Sequence, residues 1–290
     1  MTLRHLNTEP RHPARVVVIG AAGFVGGTIM AALKAAGVPA LGLTRKELDL
    51  VGEGAAACLA GALRPEDSVV FVAAEAPART PELLLQNVVM GNAVATALAA
   101  KPVAHLVYVS SDAVYSDDAN PVNETSPCQP SSLHGMMHAA RELVLKSQVK
   151  VPLAILRPSL LYGAADPHNG YGPNRFRRQA EKGEAITLFG NGEERRDHVY
   201  IDDLGRLVAL VLKHKSEGML NIATGVSVSF RAVAEQVAAL SSPQARIEPR
   251  PRQGPVAHRH FDITACLKAF PRFAYTPLAE GLRRAAESPD

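Results

Sequence analysis

Cysteine is scarce in this sequence of 290 residues, and its three copies lie far apart. Cys58, Cys128 and Cys266 form no Cys-x-x-Cys pair, so their spacing favours neither a disulfide framework nor a thiolate zinc site. Isolated thiols in odd number are typical of proteins in a reducing compartment. We therefore expect a cytoplasmic location.

Long apolar runs and long runs of one charge are also missing. The first 13 residues are polar and lack the apolar core of a signal peptide. No stretch approaches the ~18 apolar residues that we expect of a bilayer-spanning segment. The net charge is only +3, and the arginines near 175–178 and 195–196 form short clusters. We therefore expect neither a membrane nor a nucleic acid among the partners.

What is present is an alternation of short β-branched runs with longer helical segments. Residues 15–20, RVVVIG, form the continuous apolar run expected of a strand that is buried on both faces. Comparable runs lie at 40–44, 68–73, 105–110 and 153–156. Helices are predicted over 28–37, 81–100, 133–150, 175–182, 203–214 and 229–240. This order predicts an α/β fold with a Rossmann-type, doubly wound parallel sheet.

The composition changes after Pro158, where glycine, proline, asparagine and arginine become frequent. We therefore predict a loose N-terminal tail over 1–13 and a dinucleotide-binding Rossmann domain over 14–162. Residues 163–290 are predicted to form mainly a small C-terminal α/β substrate-binding domain. A segment of about 195–225 is expected to return to the Rossmann domain.

The glycines at 20, 23 and 26 follow the first predicted strand directly and precede a helix. Such a loop provides a tight turn, lets the backbone approach a pyrophosphate, and directs the free N–H groups of the helix N-terminus at the phosphates. The position after a buried strand is the context that this motif requires. Gly20, Gly23 and Gly26 therefore predict a dinucleotide site.

The spacing Gly-x-x-Gly-x-x-Gly, with Phe24 after the second glycine, resembles the motif of extended short-chain dehydrogenases/reductases, the NAD-dependent epimerase/dehydratase family. The resemblance continues through the TRKELDL segment at 44–50 and the VSSDAVY segment at 109–115. It implies further cofactor contacts from Phe24, Val25, Asp49, Leu50, Ala73, Ala74 and Pro158.

Arg45 bears on the choice between NAD and NADP. In Rossmann domains an acidic residue at the end of the second strand binds the ribose 2′-hydroxyl, whereas an arginine accommodates a 2′-phosphate. The second predicted strand here ends in Leu43-Thr44-Arg45-Lys46, without an acid at its tip. The sequence therefore favours NADP and leaves NAD open.

The family resemblance implies a catalytic Ser or Thr together with a Tyr-x-x-x-Lys pair on one helix. Ser111 occupies the Ser/Thr position. The helix motif reads His134-Gly-Met-Met-His138, so two histidines replace the tyrosine and the lysine.

Three interpretations of the two histidines stay open. His134 is the acid/base, because imidazole titrates near neutral pH without help from a neighbouring cation, and His138 binds the cofactor ribose or orients His134. Alternatively, catalysis is weak or lost, and the chain is a dinucleotide-binding regulatory protein. In the third, the pair ligates zinc, since residues at i and i+4 share a helix face. No third ligand is evident, and our preferred reading includes no metal.

The resemblance also implies a substrate side. Arg196, in the RRDHVYIDDL segment, and Arg252 match phosphate-binding arginines of sugar-nucleotide enzymes, and planar guanidinium groups suit phosphate oxygens. Asn174 is expected to line the same pocket. We therefore expect an epimerase or reductase that acts on a nucleotide-linked sugar. Family members often form homodimers through the helices that correspond to 81–100 and 133–150, and we expect a homodimer.

Overall fold

A computed structural model describes residues 2–252 and 254–287. Met1, Gln253 and residues 288–290, which fall within the predicted tail and C-terminal domain, lie outside the described residues. In chain order, the elements are β1 (Arg4–His5), β2 (Arg15–Ile19), α1 (Phe24–Ala35), β3 (Ala40–Leu43), α2 (Ala55–Ala62), β4 (Asp67–Phe71), α3 (Pro81–Ala100), β5 (His105–Val109), a 3-10 turn (Asp112–Val114), α4 (Leu133–Gln148), β6 (Leu153–Pro158), β7 (Leu160–Tyr162), α5 (Pro173–Glu181), β8 (Ile186–Phe189), β9 (Arg195–Tyr200), α6 (Ile201–Lys213), β10 (Ser216–Ile222), β11 (Ser227–Ser229), α7 (Phe230–Leu240), β12 (Ile247–Arg250), α8 (Thr264–Ala269) and α9 (Leu278–Glu287).

The large sheet has seven strands in the part of the chain that the structure describes, in the order β1-β10-β6-β5-β4-β2-β3. All neighbours pair in parallel except β1, which is antiparallel to β10 at one edge. The strand order reverses between β2 and β4, where the chain crosses from one half of the sheet to the other. This topology confirms the predicted α/β class with a Rossmann-type parallel sheet.

Helices cover both faces of this sheet, so its central strands have no face exposed to solvent. In β2, Val16 and Val18 pack into one apolar cluster, which includes side chains of α1 and α6. Val17 and Ile19 point the opposite way into a second cluster, with side chains of α2 and α3. Alternate residues of a strand face opposite sides. A continuous run of β-branched residues is therefore what a doubly covered parallel strand requires.

The second part of the chain builds two small sheets beside the carboxyl ends of the large one. One has the strand order β11-β9-β7, and the other pairs β12 with β8. The chain returns to the large sheet through β10, which pairs with β6, and through α6, which packs on α1. Because β7 already pairs with β9, the boundary at residue 162 cuts through the smaller sheet. The division into domains stays a prediction.

The loose tail predicted over 1–13 is wrong for the segment from Arg4 to Arg11. Arg4 pairs with Glu217 across β1 and β10, and the Arg11 N–H donates to the Lys213 carbonyl at 2.9 Å. His5 stacks on His214 with ring centroids 4.2 Å apart. The segment is polar, so its own sequence carries no strand signal. Its order comes from the open edge of β10, whose unpaired backbone groups accept another strand.

The expectation that no segment is long and apolar enough to cross a bilayer is wrong for helix α3. By length and composition alone it meets that test, with a mean hydropathy of 1.5 over an 18-residue window. In this fold 44% of the same window is buried, and α3 packs against α2 and α4. Its apolar composition therefore serves, at least in part, packing against the neighbouring helices.

Candidate active site

A cavity of about 600 Å³ opens at the carboxyl ends of β2, β4, β5 and β6. In doubly wound sheets, ligands bind at this edge, where the strand order reverses. Most of the predicted site residues line the cavity. They are Gly20, Gly23, Phe24, Val25, Gly26, Arg45, Asp49, Leu50, Ala73, Ala74, Ser111, His134, His138, Pro158 and Asn174.

The glycine loop has the shape of a phosphate-binding turn. Gly20 has a φ of +96°, and a Cβ there would lie 2.7 Å from the backbone nitrogen of Ala73. A Cβ on Gly26 would lie 2.0 Å from the carbonyl oxygen of Gly20. Both positions therefore accept only glycine, one for its backbone conformation and both for close approach.

Helix α1 begins directly after this loop, with Gly23 as its N-cap and, among the described residues, no side-chain hydrogen bond that caps it. Its first turn contains no acidic residue. The free N–H groups and the positive end of the helix dipole are a ready anion site. The loop and helix together fit the pyrophosphate of a dinucleotide.

Gly26→Ala tests this fit. The added methyl group overlaps the Gly20 carbonyl, so the loop must move away from its phosphate-binding shape. We expect dinucleotide affinity to fall by at least about 100-fold, the loss of several charge-assisted hydrogen bonds, measured by calorimetric titration. Gly27→Ala is the matched control, because its Cβ would lie 3.8 Å from the nearest atom. Equal affinity in the two variants would contradict the assigned role of the loop.

Arg45 lies at the cavity, but its charge is shared. Its Nη1 is 3.0 Å from Oε1 of Glu75, and its Nε is 4.0 Å from Oδ1 of Asp49. The expectation of NADP depended on a free Arg45 cation. Glu75, on the loop after β4, was missed because nothing in the sequence pattern relates it to a residue thirty positions earlier.

Ser111 and His134 are brought together by the close contact of two turns. The Ser111 hydroxyl caps the 3-10 turn by accepting from Ala113 N–H at 3.1 Å. Ser132 caps α4 by accepting from Gly135 N–H at 3.1 Å. A Cβ on Gly135 would lie 2.0 Å from the Ala113 carbonyl oxygen. Glycine at 135 therefore lets the first turn of α4 approach the turn that carries Ser111.

His134 is half-buried at the cavity, and its Nδ1 atom, which is itself buried, has no hydrogen-bond partner among the described residues. Burial lowers the pKa of His134 below its ordinary value of 6.5, and the nearby His168 and Arg141 add to the effect. The imidazole is therefore neutral at pH 7 and has a lone pair available. Because Nδ1 itself is enclosed, Nε2 is the ring nitrogen left to exchange a proton with a ligand in the cavity.

His138 is held in one orientation by Tyr108. The Tyr108 hydroxyl lies 2.8 Å from His138 Nδ1, so the two side chains share one hydrogen bond. Tyr108 was missed because it lies in an apolar run, HLVYV, whose pattern indicates only a buried strand.

Burial also fixes the charge states of this group. It lowers the pKa of His138 well below 6.5, with His134 and Arg141 adding to the effect. Burial raises the pKa of Tyr108 to about 12. His138 is therefore neutral at the position where the family motif has a charged lysine. Among residues 2–252 and 254–287, no cluster of three or more His, Cys, Asp or Glu side chains could hold a metal ion.

The three residues predicted to bind substrate are engaged with other protein groups or lie outside the cavity. Asn174 lines the cavity, but its Oδ1 accepts from Gly163 N–H at 3.1 Å and its Nδ2 donates to Asp166 at 2.9 Å. Arg196 and Arg252 do not line the cavity. Both bind the carboxylate of Glu194, at 2.5 Å and 3.2 Å. The role of Asn174 is thus to hold the loop that begins at Gly163, and the two arginines stay predictions.

Arg259 was missed by the sequence analysis. It is 8% exposed, and its guanidinium lies 3.3 Å from Asp112 and 2.9 Å from Asp117. Asp112 follows Ser111 and lines the cavity. A residue from the end of the chain therefore anchors the turn that carries Ser111. No local motif surrounds Arg259, so no sequence signal indicated it.

The model of the NAD dependent epimerase/dehydratase family matches residues 16–223. A putative UDP-glucose 4-epimerase of Methanocaldococcus jannaschii is 28% identical over 190 residues, 62% of this chain. That alignment spans 61% of the relative, less than two thirds of its length. A UDP-glucose 4-epimerase of Mycolicibacterium smegmatis is 27% identical over 94% of this chain and 97% of its own.

A solved structure described as MoeE5 in complex with UDP-glucose and NAD superposes with a TM-score of 0.79. It is 24% identical, with 94% of this chain and 97% of that chain covered. This likeness shows that the fold is shared. The family match spans the glycine loop, the turn that carries Ser111 and the helix with His134. The chain therefore belongs to the NAD dependent epimerase/dehydratase family, whose members are enzymes of the extended short-chain dehydrogenase/reductase class.

Proposed function

We propose that this protein is an NAD- or NADP-dependent epimerase or reductase of a nucleotide-linked sugar, with His134 as its acid/base. The observation that carries the proposal is that the neutral imidazole of His134 lines the cavity, together with Ser111 and the glycine loop. A nicotinamide dinucleotide, when bound, supplies hydride acceptance and donation.

The protein's own part in the reaction is the movement of one proton. His134 accepts the proton of a substrate hydroxyl as that carbon is oxidised, and it returns a proton in the reverse direction. Ser111 hydrogen-bonds the same substrate oxygen and keeps it in line with His134. His138, which is neutral and held by Tyr108, does not compete with His134 for protons.

The substrate class comes from the relatives. Two of them are named as UDP-glucose 4-epimerases, one of them putative, and MoeE5 is described with UDP-glucose bound. Arg196, Arg252 and Arg259 form a basic group on the substrate side, paired at present with carboxylates. We propose that the diphosphate of a nucleotide-sugar replaces some of these carboxylates on Arg196 and Arg252.

Purified protein incubated with NAD, NADP and a panel of nucleotide-sugars tests the proposal. Cofactor binding should raise the melting temperature by an amount that grows with the logarithm of the ligand concentration. Product should be detected by chromatography of the nucleotide-sugars, since an epimerase leaves nicotinamide absorbance unchanged at the end of each turnover. Binding of a dinucleotide without turnover of any sugar would favour the alternative, a catalytically weak regulatory protein.

We also propose that the protein is a homodimer through α3 and α4. Leu85 and Val89 on α3 are 64% and 50% exposed, and Leu143 on α4 is 67% exposed. Leu85 and Val89, four residues apart, share one face of α3, and α3 packs against α4. Leu143→Glu should therefore convert a dimer to a monomer, measured by light scattering. The matched control is Leu267→Glu, at an exposed leucine of α8. A monomeric wild type would refute this assembly.

The proposed location is the cytoplasm. All three cysteines are free, and Cys58 and Cys128 are exposed. Exposed thiols persist in reducing compartments.

A further inference from the structure

We propose that Glu75 makes the dinucleotide site selective for a cofactor with a free ribose 2′-hydroxyl, because it occupies the cation that would bind a 2′-phosphate. The inference rests on the proposed function, since it concerns selection of the cofactor at the same site. Glu75 is a specificity-determining residue in this account and takes no part in proton transfer.

Arg45 stands where Rossmann domains distinguish the two cofactors. It follows the end of β3, the strand next to the glycine loop, where an acid or an arginine recognises the ribose 2′ position. Arg45, Asp49 and Glu75 all line the cavity. A cofactor whose pyrophosphate lies on the glycine loop would therefore place its adenosine end against these three side chains.

The charge of this cluster is negative. The Arg45 Nη1 lies 3.0 Å from Glu75 Oε1, and its Nε lies 4.0 Å from Asp49 Oδ1. One guanidinium thus faces two carboxylates, which leaves one net negative charge among the three side chains. A sequence with arginine at position 45 therefore does not by itself provide a phosphate site.

Glu75 is fixed in place through its backbone. Its N–H donates to Asn87 Oδ1 at 3.1 Å, and its carbonyl accepts from Asn87 Nδ2 at 2.9 Å. Asn87 is fully buried, and Arg141 Nη2 donates to its Oδ1 at 2.8 Å. The loop after β4 is therefore tied to the interior, and the Glu75 carboxylate stays within reach of Arg45.

The two cofactors meet this cluster differently. A phosphate monoester carries nearly two negative charges at pH 7, so it must displace Glu75 from Arg45 and also approach Asp49. A 2′-hydroxyl is neutral and can donate to a carboxylate. The arrangement therefore opposes NADP and tolerates or favours NAD.

Glu75→Gln tests the inference, because it removes the charge and keeps the size of the side chain. Dissociation constants of NAD and NADP are measured by calorimetric titration at low ionic strength for the wild type and the variant. We expect wild type to prefer NAD. The variant should bind NADP on the order of tenfold more tightly, as expected for one unit charge removed a few ångströms from a dianion. Its affinity for NAD should change much less.

Two further variants make the result specific. Glu53→Gln removes one exposed carboxylate that does not line the cavity, and it should leave both affinities unchanged. Glu75→Gln combined with Arg45→Ala should lose the gain in NADP affinity, because the gain requires the released guanidinium.

The outcomes separate the inference from the proposed function. If both cofactors bind but Glu75→Gln leaves their affinity ratio unchanged, the inference is wrong and the proposed function stands. If the gain persists without Arg45, the inference is also wrong. If neither dinucleotide binds to the wild type, the proposed function fails and the inference fails with it.

Discussion

Replacement of His134 by phenylalanine should reduce kcat by about 10²- to 10⁴-fold, the usual contribution of a positioned general acid/base. Phenylalanine keeps the planar ring and the apolar contacts of a half-buried side chain on α4, but it has no lone pair. Dinucleotide affinity should therefore stay within a few-fold of wild type. The measurement is steady-state turnover of whichever nucleotide-sugar the panel identifies, together with cofactor titration of the same preparation.

The pH profile identifies the group that carries the proton. Because burial lowers the pKa of His134, the base form is present above a value that lies below 6.5. In the wild type, kcat/KM should rise on an acidic limb below pH 6.5 and stay level through neutrality. In His134→Tyr the limb should move to alkaline pH, since an unassisted phenol titrates near ~10.

The matched control for His134 is His12→Phe, at an exposed histidine outside the cavity, and it should leave kcat unchanged. Turnover that survives in His134→Phe within about threefold, far less than a general base contributes, would refute the imidazole-base mechanism. The dinucleotide site would not be affected by that result, because it depends on the glycine loop.

Replacement of Glu142 by glutamine should destabilise the fold by about 3–5 kcal/mol, the usual cost of removing one charged partner of a buried ion pair. Glu142 is 2% exposed and accepts from Arg157 Nε at 2.9 Å and from Arg157 Nη2 at 2.6 Å. It also accepts from the Ser110 hydroxyl at 2.7 Å. Glutamine leaves the Arg157 cation buried without a counter-charge. The measurement is the midpoint of urea unfolding.

Two further variants sharpen this test of the buried ion pair. Glu142→Leu combined with Arg157→Met should cost less than Glu142→Gln alone, because no unpaired charge stays buried. Glu280→Gln, at an exposed ion pair, should shift the midpoint little. A midpoint for Glu142→Gln equal to that of Glu280→Gln would contradict the buried-pair account.

The stability difference should also depend on pH. Burial alone would raise the pKa of Glu142, but the hydrogen bonds and charge of Arg157 outweigh it, and the pKa lies below the ordinary 4.5. The contribution of the charged form is then complete above about pH 4.5 and is lost as the pH falls through the lower folded-state value. The difference in the free energy of unfolding between the wild type and Glu142→Gln should therefore decrease at acidic pH.

The local features of the site were evident from sequence because each depends on spacing along the chain. A β-branched run followed by three glycines predicted the phosphate loop. The spacing of His134 and His138 placed both rings on one helix face. The start of α1 was predicted at 28 but lies at Phe24. Gly26 and Gly27 weaken a helical pattern, although Gly26 is required where the helix crosses the loop.

Long-range pairings were not evident, because they depend on where distant segments meet. Glu75 and Arg45 are thirty residues apart, and Arg259 reaches Asp112 from 147 residues away. Segments with weak patterns were missed for the same reason: β1 forms only because β10 offers an open edge, and α2 is a short alanine-rich helix.

The amino-acid sequence by itself determined the fold class, the dinucleotide loop and the replacement of the family's tyrosine and lysine by histidines. Each of these features depends on the periodicity or spacing of residues close together in the chain, which determines the local structure directly. Only the tertiary structure decided the charge state of those histidines, the contact of His138 with Tyr108 and the pairing of Arg45. These depend on burial and on neighbours from other strands, which no stretch of sequence contains.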